Sequence, residues 1–160
     1  MLRFVLYGLL GWCAEIVWTA LYDAVTGTRR AEGEVAAHVK TTRSERLRLV
    51  GRTYLWMFPI YGSAALLFEP AHDAIRRWPW PARGAIECAG IFAVEALSGL
   101  LLKRATGRVP WDYSASRASA LGGTIRLDYA PVWFSFGLLL ERAHDFFVAV
   151  EPALRAALGV

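Results

Sequence analysis

The sequence predicts an all-α integral membrane protein, a four-transmembrane-helix bundle. Three observations carry this. The 160 residues are 56% hydrophobic and 20% charged, with a mean hydropathy of +0.33, above the apolar share of about 45–50% of an ordinary soluble domain. The apolar residues come in long blocks: residues 4–22 are broken by Glu15 alone, and residues 84–102 by Glu87 and Glu95. A bilayer crossing needs about 20 mostly apolar residues, so both qualify. Seven Trp, six Tyr and eight Phe suit the interfacial aromatic belts of such a protein. The length fits one membrane domain, residues 1–160.

The elements follow in order. The first helix covers residues 2–24. It reads as a retained helix, since Glu15 interrupts it and no small-residue cleavage pattern follows. The second, residues 53–75, is the least apolar. It contains Pro59, whose freed backbone groups neighbouring helices can satisfy, and a re-entrant segment is the alternative to a full span. The third covers residues 82–104. The fourth, residues 129–150, opens on uncharged residues and then carries Glu141, Arg142, His144 and Asp145.

Lys and Arg set the orientation. The connection 25–52 holds Arg29, Arg30, Lys40, Arg43, Arg46, Arg48 and Arg52. The region of the second connection, 105–128, holds Arg108, Arg117 and Arg126, with Lys103 and Arg104 at its edge. The opposite side has Arg3, Arg76, Arg77, Arg83 and Arg155. Both longer loops are therefore expected in the cytoplasm and both termini outside. The first loop is mixed in sign, with Glu32, Glu34 and Glu45. It reads as a solvated linker, or over residues 44–50 as a short segment on the anionic inner leaflet. The net charge of +4 comes without a basic helix or recognition motif, so nucleic acid is not an expected partner. Cys13 and Cys88 lie inside apolar helices and read as small packing residues.

The chain resembles itself. Residues 66–73 and 138–145 both read apolar-apolar-apolar-Glu-x-Ala-His-Asp. Glu15 precedes Thr26-Gly27 at the interval at which Glu95 precedes Thr106-Gly107. Two repeated helical hairpins would give this pattern, with halves of parallel topology.

Each helix carries a carboxylate: Glu15, Glu69, Glu95 and Glu141. A charge at mid-bilayer costs at least about 2.5–3.5 kcal/mol, so these face the bundle interior. Gly8, Gly11, Glu15 and Thr19 share one helical face, as do Trp133, Gly137, Glu141 and Asp145, and small residues there let helices approach. Glu15, Glu95 and Glu141, with Asp112 and Arg126 at the inner mouth, are the expected proton- or ligand-binding cluster. A Glu on two helices and Glu-x-x-His on two others is also the ligand set of di-iron and di-manganese carboxylate bundles. That alternative uses Glu15, Glu69, His72, Glu95, Glu141 and His144; otherwise no cofactor is expected. The plainer reading has His72 and His144 facing headgroups or pairing with Asp73 and Asp145, and Arg142 serving as counter-ion to Glu141. No phosphate loop, zinc spacing or serine elbow is present, and Ser114 and Ser116 have no partnered His in the sequence.

Residues 109–114, Val-Pro-Trp-Asp-Tyr-Ser, pack two aromatics around an acid. They read as an interfacial anchor with a turn, or as a plug on the inner mouth in which Asp112 pairs with Arg126 or Arg52. This element, together with Gly11-Trp12-x-x-Glu15, Pro59-Ile60-Tyr61-Gly62, Glu95-x-x-x-Gly99, Gly123-x-Ile125-x-Leu127-x-Tyr129 and Pro131-Val132-Trp133-Phe134, resembles the vertebrate transmembrane protein 229 family and a bacterial family labelled ABC-transporter type IV permeases. The resemblance runs from the first helix into the fourth. It implies a small polytopic membrane protein but no defined substrate, and the two histidines are not part of its pattern. Trp56-Met57-Phe58 stands where the bacterial proteins usually carry Gly-Pro.

The expected function is thus permease-like, in the lipid bilayer, with a second copy or other membrane subunits needed to enclose a pathway. The alternatives are a membrane-embedded metal-dependent enzyme acting on a lipid or quinone-like substrate, and a non-catalytic assembly subunit. The motifs do not decide whether a reaction is catalysed, and nucleotide hydrolysis is not expected without a Walker A sequence.

Overall fold

The computed structural model describes residues 1–30 and 38–159, and the chain is mostly helical. Residues 31–37, with Glu32 and Glu34 of the first loop, lie outside the described residues. Helix α1 spans Leu2–Thr26 and ends at Gly27, whose left-handed φ of 67° lets its N–H reach back to Asp23 O. Strands β1 (Thr28–Arg30) and β2 (His38–Lys40) pair antiparallel, with Arg29 opposite Val39. The short helix α2 (Arg43–Leu47) begins in a capping box: Thr42 accepts from Glu45 N, and Glu45 accepts from Thr42 N.

The second apolar block starts later than the sequence suggests and is interrupted. It forms α3 (Met57–Gly62) and α4 (Ala64–Ile75), joined through Ser63. Together they rise about 28 Å, close to the roughly 30 Å of a hydrocarbon core. Helix α5 covers Trp80–Thr106 and closes on Gly107, again left-handed. A two-residue hairpin follows, β3 (Ser119–Ala120) against β4 (Ile125–Arg126). Helix α6 runs from Ala130 to Leu158. It continues past residue 150 because Arg155 pairs with Glu151 one turn back, and Glu151 also takes Arg3 at 2.9 Å.

Among the described residues, α1 and α5 are long and apolar enough to cross a membrane. The outward faces of the helices are rich in large apolar side chains. Val5, Leu9, Val17 and Leu21 of α1, Leu66 and Leu67 of α4, Leu97 and Leu101 of α5, and Leu139 and Phe146 of α6 all face outward. Buried alongside an apolar cluster of Met57, Leu102, Val109 and Trp111 are Glu69, His72, Glu87, Glu141 and His144. Cys13 is exposed rather than packed inside, and Cys88 is half-buried.

The small-residue face of α1 is where helices meet. A methyl group on Gly8 would strike the Phe58 ring, and one on Gly11 would overlap Tyr61. Glu15 accepts from Thr53 Oγ1, and Thr19 Oγ1 accepts from Arg52 N at 2.8 Å. All four positions face residues 52–61. On the other hairpin, Gly84 admits the Phe134 ring and Gly137 makes room for Glu87.

Candidate functional site

The expected cluster divides into two. Glu15, Glu95, Asp112 and Arg126 line one cavity of about 570 Å3, together with Trp18, Tyr22, Tyr61, Tyr113, Tyr129 and Trp133. Glu141 is not among them. It lies about two helical turns, roughly 12 Å, beyond Trp133 along α6, in a separate group of ionisable residues.

In the cavity, α1 positions Glu15 and α5 positions Glu95. Tyr61 lies near both. Tyr113 Oη donates to Glu95 Oε1 at 3.0 Å. The Pro110–Ser114 turn can reach so far inward because its neighbours are shaped for it. Trp111 is buried, its indole N–H donating to Thr124 O at 2.8 Å, and both rest on Gly99. Tyr113 N donates to Gly123 O at 2.8 Å. Gly122 and Gly123 have φ of 68° and 90°, a region that side-chain-bearing residues avoid, and a methyl on Gly123 would run into Asp112 Oδ1. The aromatic-acid element is therefore an inward-turned loop braced by a glycine pair, and burial pushes the Tyr113 phenol well above its ordinary pKa. The Trp133 indole N–H of α6 approaches the same Glu95 carboxyl.

The bases at the mouth find partners other than those expected. Arg126 binds Asp128 through two hydrogen bonds of 2.7 Å, lies 4.5 Å above the Tyr129 ring and donates to Tyr22 Oη. The guanidinium holds the Asp128 carboxyl below its usual range, and that carboxylate raises Arg126. Arg52 binds Asp23 at 2.7 Å. Asp112 Oδ1 accepts from Ser114 N at 2.9 Å, closing its own turn.

The second group lies between α1, α4, α5 and α6. Arg83 holds Glu141 with hydrogen bonds of 2.6 and 2.9 Å, while Arg142 is exposed. Arg3 donates to Glu69 at 2.6 Å. His72 Nδ1 is 3.5 Å from Glu87 Oε1 and 3.6 Å from Glu141 Oε1. Tyr7 Oη lies 3.3 Å from His144 Nδ1. Of the six residues in the di-metal alternative, the fold brings together Glu69, His72, Glu141 and His144. It sends Glu15 and Glu95 to the cavity.

Residues 2–155 match the family described as "Putative ABC-transporter type IV". The chain belongs to this family. No solved structure matches it. The family description is that of a transporter component, and with two apolar helices it points to a membrane location.

Sequence reasoning passed over Glu87, Arg83, Arg3 and Tyr7 as site residues. The signal was present in the internal resemblance. The register that aligns Glu15 with Glu95 also aligns Arg3 with Arg83 and Tyr7 with Glu87. Both arginines bind the Glu of their own hairpin's Glu-x-x-His motif, and Tyr7 and Glu87 each approach the histidine of the other hairpin's motif.

Proposed function

We propose that this protein is a small permease-like component of a transporter whose aromatic cavity binds a small organic cation or, without one, a proton, between Glu15 and Glu95. One observation carries the reading. Two carboxylates from different helices line a cavity of about 570 Å3 with eight Trp and Tyr side chains among its walls, a volume in the range of small-molecule sites, about 300–1,000 Å3. Aromatic faces attract cations, and an organic cation takes up carboxylate charge without demanding full hydration. Arg126 and Arg52 do not neutralise the carboxylates, since each is engaged by Asp128 or Asp23. Asp112 lies at the entrance, and the plug around Tyr113 is the element that would move for release.

In this reading all four helical segments cross the bilayer, both termini lie outside, and loops 25–52 and 105–128 are cytoplasmic. Outward apolar residues on α4 and α6 as well as on α1 and α5 support it. Repeated hairpins fit the paired contacts. Phe4 rests against Gly62 in one half and Phe134 against Gly84 in the other, the same two register positions with ring and glycine exchanged. The wider kinship with vertebrate transmembrane protein 229 rests on the shared Trp-Asp-Tyr-Ser element. Four helices enclose little space alone, so a second copy or other membrane subunits complete the pathway.

The test is tryptophan fluorescence of the full chain in nanodiscs during titration with tetramethylammonium and choline. Trp18 and Trp133 line the cavity, so saturable quenching is expected, with Glu15→Gln and Glu95→Gln each weakening binding about tenfold or more, the scale on which an unmatched charge partner is lost. No saturable response in the wild type, or the same response in both variants, overturns the reading and favours an assembly subunit.

A further inference from the structure

The second group of ionisable residues is outside the cavity, and the proposed transport role does not use it. His72 of α4 is 2% exposed, and neither ring nitrogen has a hydrogen-bond partner among the described residues; Glu87 of α5 is also buried and faces the Glu141 carboxyl. Unmade hydrogen bonds on deeply buried groups each cost about 1–3 kcal/mol and call for a partner. His72, Glu87 and Glu141 each place a donor atom within 4.8 Å of the others. The His72 Nδ1 separations of 3.5 and 3.6 Å are too long for hydrogen bonds. They match two ligand atoms on one ion, which at bond lengths of about 2.0–2.1 Å in tetrahedral geometry lie roughly 3.4 Å apart.

We propose that His72, Glu87 and Glu141 bind one divalent transition-metal ion of the zinc or manganese class. One imidazole and two carboxylates suit these ions better than calcium or magnesium, which take oxygen ligands. The surroundings fix each donor. Phe68 stacks on the His72 ring at 5.4 Å with the planes 13° apart. Arg83 orients Glu141, whose oxygens have lone pairs to spare for an ion. Gly137 leaves the space Glu87 occupies. Charge points the same way. Glu69 has Arg3 and Glu141 has Arg83, whereas among the described residues Glu87 has no salt-bridge partner but His72. The register-equivalent trio, Tyr7, Glu69 and His144, has a phenol in place of that carboxylate and is closed by the Tyr7 contact to His144. His144 also brings a donor atom within 4.8 Å of His72 and Asp73, but Asp73 is exposed, whereas His72, Glu87 and Glu141 are all buried.

The full chain in detergent, stripped with EDTA and desalted, is titrated with Zn2+ and with Mn2+ in a calorimeter, and retained metal is measured after gel filtration. One ion per chain is expected. His72→Gln and Glu87→Gln should each weaken binding about tenfold or more, no less than the loss typical of a ligand's supporting partners, while Tyr7→Phe leaves affinity unchanged. Co2+ loaded into the wild type should give visible absorption that reports direct imidazole ligation, a readout that needs no variant to fold. An absence of retained metal, a Co2+ spectrum matching the hydrated ion, or equal retention by His72→Gln and Glu87→Gln overturns the proposal.

Discussion

Arg83 grips Glu141 across the α5–α6 contact with hydrogen bonds of 2.6 and 2.9 Å. This pair supplies the counter-charge that lets α6 carry a buried carboxylate beside His72 and Glu87. Removing one member of a buried pair leaves an uncompensated charge, which destabilises strongly, whereas removing both can be neutral. Arg83→Met should therefore lower the melting temperature in detergent, and the double variant Arg83→Met/Glu141→Leu should recover most of the loss. Arg142→Met, at the adjacent exposed position, should leave it unchanged. Equal losses in the two arginine variants would remove Arg83 from this role.

The glycines of α1 and α5 differ in what they face. Gly11→Ala places a methyl in the Tyr61 ring and should cost about 1–3 kcal/mol, the usual penalty for overpacking. Gly90 has open space around its Cα. Gly90→Ala should stabilise α5 by up to about 1 kcal/mol through helix propensity. Unfolding titrations in mixed micelles check both, and the opposite sign at either site contradicts the assigned packing.

Acid should act on the cavity mouth through Asp128. Arg126 lowers its carboxyl below the ordinary value. The pair therefore contributes stability above the unfolded-state pKa and loses it as pH falls through the lower folded value. Because Asp128 is about half exposed, the effect on global stability is small, and the sensitive readout is local. Carboxyl carbon shifts of Asp128 in nanodiscs should titrate below the usual aspartate range and return to it in Arg126→Gln. A midpoint unchanged by that substitution breaks the assignment.

The proposed topology has a direct test. Cysteine introduced at position 40 should react with an impermeant maleimide only after the cells are opened, and cysteine at position 80 in intact cells. Both are judged against a background with Cys13 and Cys88 replaced by alanine. Labelling of position 40 from outside reverses the orientation.

Composition and periodicity by themselves determined that this chain is helical, where its apolar blocks lie and which face of α1 meets its neighbour. A long apolar block has few structures open to it, and the spacing of Gly8, Gly11, Glu15 and Thr19 places them on one face whatever the partner. The break at Ser63 was not legible, since Pro59 was the visible irregularity and local packing decided where the helix restarts. Nor was the separation of Glu141 from Glu15 and Glu95. Depth along a helix can be counted from its end, but which carboxylates converge depends on how far α6 is displaced along α5 and where the Pro110–Ser114 turn inserts. Glu87 was passed over for the same reason: its spacing on α5 does not say that it turns toward His72 while Glu95, two turns on, turns toward the cavity. The tertiary structure alone decided that one group of acids lines an aromatic cavity while the other gathers around His72, because only the relative placement of helices converts charges in sequence into distances in space.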